Sequence, residues 1–217
     1  RGLSHWLAKP AIITPKPSPK QMSVLQTTDR PPPLILASSS PYRSEMLSRL
    51  GLPFKTEAPE IDERREIGET PKSTARRLAL QKALKILLHQ PDAVVIGADQ
   101  VLDIDGQTLG KPGSHEAAVR QLTRLSGRAV TFYSALAVVC ASGRQISVIE
   151  CHALFKPLTL SQIERYLTIE RPFDVAGSAR AEGLGISLLD KLTSDDPTAI
   201  IGLPLIQLTA MLSRAGH

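Results

Sequence analysis

From residue 34 onward, the chain alternates between apolar runs typical of strands and apolar stripes typical of helices. The runs at residues 34–37 and 93–98 are continuous, which is typical of strands buried on both faces. Between them, apolar residues at helical spacing predict a long helix that ends at Leu87, with Thr70 and Pro71 as its start signals. This alternation indicates an α/β fold.

The middle of the chain adds hairpins to this pattern. Asp105-Gly106 predicts a two-residue turn between short strands, and a turn at residues 142–144 joins two long predicted strands, 130–140 and 145–155. A shorter strand is predicted at residues 54–58, and further helices are predicted at residues 115–125, 161–168 and 205–212. Because hairpin strands run antiparallel, we expect an α/β fold with a mixed sheet flanked by helices.

Most of the positive charge lies in the first 33 residues. The net charge of the chain is +5, and residues 1–33 hold five basic residues against one acidic residue, so the remainder is nearly neutral. Since duplex binding needs a broad basic surface, we predict no nucleic-acid partner. Seven prolines and few apolar clusters predict that residues 1–33 are a disordered extension, followed by one domain at residues 34–217.

The apolar runs and the cysteines bear on the cellular location. No run is long enough to span a membrane, and no secretory signal is evident, so we predict a cytoplasmic protein without a membrane partner. Cys140 and Cys151 lie on either side of a predicted turn. Their apolar neighbours favour two buried free thiols over a cross-strand disulfide.

The stretch Leu-Ala-Ser-Ser-Ser-Pro-Tyr-Arg at residues 36–43 leads from a strand into hydroxyls, a proline and a cation. Ser40 is a good N-cap residue and Pro41 suits the first helical position, so a helix is predicted to begin here. Free backbone N–H groups at a helix start, together with serine hydroxyls and Arg43, favour a phosphate. The alternative is an ordinary capped turn between a strand and a helix.

Asp99 and Lys82 are further candidates for chemistry. The strand at 93–98 is predicted to end at Asp99, at the sheet edge where α/β proteins place their ligands, which makes Asp99 a candidate base or metal ligand. Lys82 shares the apolar face of its helix and is predicted to point inward. The alternatives are a strand-end cap for Asp99 and a lysine that reaches solvent for Lys82.

Two loops add a cation and two carboxylates. Lys111 lies between Gly110 and Pro112, and Asp62-Glu63 lies in a charged loop, where a solvated pair is the alternative interpretation. Together with a phosphate cradle, these groups suit an attack of water on a nucleotide phosphoryl group that depends on a divalent metal.

Eight segments, in order along the chain, resemble the Maf family of nucleoside triphosphate pyrophosphatases. They are residues 36–43, 62–63, 77–83, 97–100, 110–112, 125–128, 176–177 and 202–205. The resemblance implies two lobes around a deep cleft, in a fold similar to that of the inosine triphosphate pyrophosphatases, and a homodimer. It also implies hydrolysis of a nucleoside triphosphate to a monophosphate and pyrophosphate with a divalent cation, Mg²⁺ or Mn²⁺.

The resemblance also implies roles for individual residues. The residues that would hold the triphosphate are Ser38, Arg43, Lys82 and Lys111. Asp99 would accept the proton of the attacking water, and Asp62, Glu63 and Asp99 are the candidate metal ligands. The resemblance does not separate attack at the α-phosphorus from attack at the β-phosphorus.

Three positions depart from the commonest Maf pattern, which has arginine, threonine and glutamine there. In this chain they are Tyr42, Gln100 and Glu182, which resembles the branch that acts on 7-methyl-GTP rather than on dTTP and UTP. Methylation at N7 makes guanine cationic, so a contact with the Tyr42 ring is worth about 0.5–2 kcal/mol. Gln100 would read the edge of the base, and Glu182 would accept hydrogen bonds from its N–H groups. The alternatives are core packing for Tyr42 and a turn cap for Glu182.

Three functions stay open on the sequence alone. The first is removal of a non-standard nucleotide, 7-methyl-GTP. The second is a dTTP and UTP pyrophosphatase of the same family, and the third is a nucleotide-binding regulator of cell division with little turnover. The presence of Asp99, Lys82 and Lys111 favours an enzyme over a regulator.

Overall fold

A seven-stranded mixed sheet forms the centre of the computed structural model, which describes residues 31–217. Its strands are β1 (Leu34–Ala37), β2 (Lys55–Glu57), β3 (Val94–Ile104), β4 (Gln107–Leu109), β5 (Ala129–Cys140), β6 (Gly143–Phe155) and β7 (Leu189–Ser194). The strand order is β2-β1-β3-β5-β6-β7, and β4 pairs with β3. β1 runs parallel to β2 and β3, and the other pairs are antiparallel. The predicted mixed α/β sheet is confirmed.

Within the described part of the chain, five α-helices flank the sheet where the sequence predicts them. They are α1 (Pro41–Ser48), α2 (Pro71–Leu87), α3 (His115–Leu125), α4 (Leu160–Glu170) and α5 (Leu205–Arg214). The side chains of Ser40, Thr70 and Ser114 each accept a hydrogen bond from a backbone N–H group in the first turn, as expected of N-cap residues. Short 3₁₀ turns at Ala176–Ser178, Leu184–Leu188 and Ala199–Ile201 fill much of the glycine-rich last third.

Three long strands are shared between two parts of the core. β3, β5 and β6 have 11, 12 and 13 residues. In one part, α2 packs on one face of the sheet, and α1 and α5 pack on the other. In the second part, α3 and α4 pack against the far ends of the same strands. This arrangement agrees with the two lobes that the family resemblance implies.

The predicted end of the central strand at Asp99 is wrong, because β3 continues without a break to Ile104. Pairing with β5 extends from Val95 to Asp103, and these backbone hydrogen bonds hold the polar residues in the strand. The neighbouring strand β1 does end early, since its last residue, Ala37, pairs with Gly97. Asp99 therefore lies just beyond the end of β1, where the sheet opens.

Three further predictions concern a membrane span, the cysteines and the N-terminal extension. Within residues 31–217, no helix combines the length and the apolar character needed to cross a membrane. Cys140 and Cys151 are free thiols, as predicted, but only Cys151 is buried, because Cys140 ends β5 beside a turn. The extension predicted at residues 1–33 lies outside the described residues except for its last three, and it stays a prediction.

Candidate active site

A cleft of about 480 Å³ opens where β1 ends. Its walls come from the start of α1, from α2, from the β3–β4 hairpin and from the segment that precedes the first 3₁₀ turn. The polar residues that line it include Ser38, Tyr42, Arg43, Glu63, Lys82, Asp99, Gln100, Lys111 and Asp174. This volume is within the range of sites that enclose a small molecule. The cleft thus brings together eight of the ten residues predicted for the site from the sequence.

The floor of the cleft contains a buried ion pair between Asp99 on β3 and Lys82 on α2. Lys82 Nζ lies 2.7 Å from Asp99 Oδ1, and both side chains are less than 10% exposed. Glu63 Oε1 lies 2.9 Å from the same nitrogen, on the solvent side. The inward direction predicted for Lys82 is therefore confirmed, and its partners are two carboxylates.

Gly97 explains why α2 lies close enough to β3 for this pair to form. A Cβ atom at Gly97 would lie 2.1 Å from the carbonyl oxygen of Ala79 and 2.9 Å from the Cβ atom of Ala83. Only a glycine allows this approach of helix backbone to strand. Lys82, on the same stretch of helix, is thereby brought within hydrogen-bond distance of Asp99.

Burial and neighbouring cations shift the pKa of Asp99 in opposite directions. Burial raises the pKa of the Asp99 carboxyl, while Lys82 and Arg43 lower it and Glu63 adds a smaller upward contribution. Burial also lowers the pKa of Arg43, and the charges of Asp99 and Glu63 oppose this effect. The cluster therefore holds a carboxylate whose proton affinity is above that of an ordinary aspartate.

The loop between β2 and α2 brings Glu63 into the cleft. Arg77 on α2 fixes this loop: its Nε lies 2.6 Å from Glu69 Oε1, and its Nη2 donates to the carbonyl oxygen of Arg64. The Arg77 guanidinium lowers the pKa of Glu69 to about 2. Arg77 belongs to one of the family-like segments, but the sequence alone did not indicate this role.

Asp62 does not join the cluster that Glu63 joins. Its carboxylate accepts hydrogen bonds from the exposed side chain of Arg64, which lower the pKa of Asp62 to about 2. Glu63 and Asp99, in contrast, converge on the same point, since both contact Lys82 Nζ. Within residues 31–217 no group of three or more histidine, cysteine or acidic side chains is arranged to hold a metal ion. Two converging carboxylates suit Mg²⁺, which takes its other ligands from water and phosphates.

The turn before α1 is organised by its serines. Ser38 Oγ accepts a hydrogen bond from the Ser40 backbone N–H, and Ser40 Oγ accepts one from that of Arg43. Two of the N–H groups that the sequence offered to a phosphate are thus already paired within the turn. Ser38 is 6% exposed but lines the cleft, so its hydroxyl proton is available to a ligand there.

Gly202 holds the side chain of Arg43 in place. Arg43 Nε donates to the Gly202 carbonyl oxygen at 3.0 Å, and the glycine adopts a φ of +100°, which other residues rarely adopt. This contact explains the family-like segment at residues 202–205, for which the sequence suggested no role. Lys111 is exposed at the rim of the cleft, beyond the β3–β4 hairpin.

The side-chain amide of Gln100, which lines the cleft, is paired within the protein through its nitrogen. Its side-chain nitrogen donates to Ser134 Oγ and to the carbonyl oxygens of Ala199 and Ile200, all at 2.9–3.0 Å. A carbonyl oxygen accepts hydrogen bonds from N–H or O–H groups, so the Gln100 atom beside the Ala199 and Ile200 carbonyl oxygens is the amide nitrogen. The amide oxygen remains available to accept a hydrogen bond from a ligand.

Arg180, which no sequence pattern indicated, links two of the residues predicted to recognise the base. Its guanidinium carbon lies 4.7 Å from the centre of the Tyr42 ring, and its Nε lies 3.4 Å from Glu182 Oε1. The Tyr42 hydroxyl donates to Asp174. Tyr42 lines the cleft, whereas Arg180 and Glu182 are not among the residues that line it.

Comparison with known proteins agrees with this geometry. The sequence profile of the family described as "Maf-like protein" matches residues 33–215. A relative named 7-methyl-GTP pyrophosphatase, from Cupriavidus pinatubonensis, is 50% identical over 190 residues, which cover 86% of this chain and 94% of the relative. Relatives with the same name from Bordetella pertussis and a Polaromonas species are 54% and 48% identical over 186 and 208 residues. These alignments cover 86% and 95% of this chain and 94% of each relative. The chain therefore belongs to the Maf-like protein family.

Proposed function

We propose that this protein is a nucleoside triphosphate pyrophosphatase that hydrolyses 7-methyl-GTP to 7-methyl-GMP and pyrophosphate, and so removes a non-standard nucleotide. The observation that carries the proposal is the buried Asp99–Lys82 pair at the floor of a cleft large enough for a nucleotide. The names of the relatives at about half identity support the choice of substrate.

The cations around Asp99 suit the charge of a triphosphate. Arg43 and Lys82 lie at the floor of the cleft and Lys111 lies at its rim, so three cationic side chains line the space. Charge-assisted hydrogen bonds of this kind are about twice as strong as neutral ones. We assign these three side chains and the Ser38 hydroxyl to the phosphates.

Asp99 is the proposed base. A water molecule between Asp99 and the substrate would lose its proton to the carboxylate as its oxygen bonds to phosphorus, and the phosphoanhydride bond would break to release pyrophosphate. The raised proton affinity of Asp99 suits this step, since a weakly basic carboxylate takes a proton from water poorly. Lys82 keeps the carboxylate ionised and oriented before the reaction.

Glu63 and Asp99 are the proposed ligands of a divalent cation, Mg²⁺ or Mn²⁺. Bound there, such a cation would supply charge neutralisation on the phosphoryl oxygens. The two carboxylates now share the Lys82 ammonium, so Lys82 would give up one of these contacts to a metal ion. Asp62 is left out of this proposal because its carboxylate is turned toward Arg64.

Base recognition is assigned to Tyr42, Gln100 and Glu182. The Gln100 oxygen suits the N–H donors of guanine, because its nitrogen is already paired within the protein. The aromatic face of Tyr42 suits a cationic ring. The carboxylate of Glu182, which lies outside the cleft beside Arg180, would have to become accessible to the same ring. These groups favour 7-methylguanine over the neutral bases of dTTP and UTP.

Two further features of the family resemblance belong to this proposal. A homodimer is proposed, and sedimentation of the purified protein would measure its mass. A cytoplasmic location is proposed because free nucleotides are the substrate and both cysteines are free thiols.

A nucleotide panel tests the proposed function. The purified protein is incubated with 7-methyl-GTP, GTP, dTTP and UTP in the presence of Mg²⁺ or Mn²⁺, and released pyrophosphate and nucleoside monophosphate are measured. We expect the fastest release from 7-methyl-GTP. Binding of 7-methyl-GTP without pyrophosphate release would support a regulator instead, and faster release from dTTP or UTP would support the other branch of the family.

A further inference from the structure

Arg180 occupies the place that the proposed function gives to a cationic base. Its guanidinium lies over the Tyr42 ring, with 4.7 Å between the guanidinium carbon and the ring centre. Its Nε also contacts the Glu182 carboxylate at 3.4 Å. The same ring and the same carboxylate would receive a 7-methylguanine ring, and one face of Tyr42 cannot hold both cations.

The backbone of Arg180 and one of its contacts are firmly fixed. The Arg180 backbone N–H donates to the buried Tyr166 hydroxyl at 3.0 Å. Its Nη1 lies 2.8 Å from Glu170 Oε1, and Glu170 is 12% exposed and also accepts a hydrogen bond from the Leu184 backbone N–H. The contact with Glu182 is longer by comparison. A small rotation of the guanidinium can therefore free Tyr42 and Glu182 while the pair with Glu170 persists.

The charges around Arg180 favour replacement of one cation by another. Two carboxylates, those of Glu170 and Glu182, contact its guanidinium, and a third, that of Asp174, accepts a hydrogen bond from the Tyr42 hydroxyl. If a neutral ring displaced the guanidinium, Glu182 would lose its positive partner. A cationic ring restores both the charge partner of Glu182 and the cation over Tyr42.

We propose that Arg180 is an internal ligand of the base subsite, which a cationic base displaces from Tyr42 and Glu182 and which a neutral base displaces poorly. Arg180 is then a specificity-determining residue. This inference rests on the proposed function, because it takes 7-methylguanine as the base. It concerns binding of the base and leaves the chemistry at Asp99 unchanged.

The variant Arg180→Gln tests the displacement, with Arg165→Gln, an exposed arginine on α4, as the matched control. Without the competing guanidinium, KM for 7-methyl-GTP falls by about 2- to 30-fold, the range of a single cation–π contact, and kcat is unchanged. KM for GTP falls less. Binding of inorganic triphosphate, which has no base, is unchanged in both variants. Arg180→Lys keeps a charge for Glu170 but lacks the planar group, and its KM lies between those of the wild type and Arg180→Gln.

Two outcomes would overturn the inference. If Arg180 only holds its loop in place, Arg180→Gln weakens the binding of inorganic triphosphate as well and lowers the unfolding midpoint. If Arg180 reads the base directly, Arg180→Gln raises KM for 7-methyl-GTP and leaves triphosphate binding unchanged. A wild type that fails to hydrolyse 7-methyl-GTP would contradict the proposed function itself. Calorimetric titration with 7-methyl-GMP and GMP would then still test the displacement, since tighter binding of 7-methyl-GMP to Arg180→Gln requires no turnover.

Discussion

At the scale of single residues, the site depends on which polar side chains are buried beside each other. Asp99 and Lys82 could be selected from the sequence because each interrupts an apolar pattern. Arg180 could not be selected, because nothing in its neighbourhood marks an arginine that folds back over a residue 138 positions earlier, Tyr42. The Asp62-Glu63 pair could be found, but only the structure separates Glu63, which faces Lys82, from Asp62, which faces Arg64.

Replacement of Asp99 by asparagine tests its role as the base. The asparagine has nearly the same shape but cannot accept a proton from water at neutral pH, so we expect kcat to fall by about 10²- to 10⁴-fold. Calorimetry should show that 7-methyl-GTP still binds. Asp92→Asn, at an exposed turn, serves as the control and should keep full activity. An Asp99→Asn protein with more than a tenth of the wild-type kcat would contradict the assignment.

The pH dependence of the reaction tests the state of the same carboxylate. Burial raises the pKa of Asp99, and a base works only when ionised, so kcat/KM should rise with pH through a midpoint above the ordinary aspartate value of about 4. Equilibrium binding over the same pH range separates this effect from titration of the substrate. A rate that stays constant down to pH values near 4 would argue against a raised pKa.

At the scale of elements, local signals in the sequence predict the helices and the hairpins well. These signals are short-range: an N-cap residue, a proline at a helix start or the Asp105-Gly106 turn affects only the few residues next to it. A short stretch of sequence is therefore enough to predict the element. The course of β3 through Asp99 could not be read this way, because pairing with β5, about 35 residues away along the chain, holds Asp99 in the strand. β7 was missed for the same reason: its six residues are mostly polar and partly exposed, and pairing with β6 defines it.

Replacement of Gly97 by alanine tests how α2 is positioned on β3. The added methyl group would overlap the Ala79 carbonyl oxygen, so we expect a loss of about 1–3 kcal/mol in the free energy of unfolding, measured in urea, and lower activity as Lys82 shifts. Gly110→Ala is the control for stability, since no atom lies within 4 Å of its added Cβ. Equal stability of the two variants would show that the helix is free to move away.

Replacement of Arg77 by glutamine tests whether α2 positions the loop that carries Glu63. We expect kcat/KM to fall by about 10- to 100-fold, as a misplaced group near the reaction centre does. Arg76→Gln, one position earlier and exposed, should have little effect. Unchanged activity in Arg77→Gln would mean that the loop needs no such anchor.

The stability lost in Arg77→Gln, relative to the wild type, should depend on pH. Arg77 lowers the pKa of Glu69 to about 2 in the folded protein, below the unfolded value of about 4.3. The pair therefore contributes stability above pH 4.3 that is lost as the pH falls toward 2. The difference in urea midpoint between the wild type and Arg77→Gln should shrink over this window, and a difference that stays constant would exclude the pair as its source.

At the scale of the whole molecule, the long strands β3, β5 and β6 support both parts of the core, and the cleft lies where the shorter β1 stops. Six of the eight family-like segments line this cleft, and a seventh, residues 202–205, holds Arg43 there, while residues 125–128 lie in the other part of the core. Their order could be read from the sequence, but the pairing of distant segments, such as Gly202 with Arg43, required the fold. The molecule thus places phosphate-binding cations, a carboxylate base and an aromatic face around one space.

An internal competition tests the preference for 7-methyl-GTP most directly: wild-type protein is incubated with equal concentrations of 7-methyl-GTP and dTTP and with Mg²⁺ in one reaction. The ratio of the two monophosphate products at early times equals the ratio of the two kcat/KM values. We predict a ratio of at least about 10 in favour of 7-methyl-GMP, the discrimination expected from one cation–π contact and one charged hydrogen bond. A ratio of one or less would contradict it.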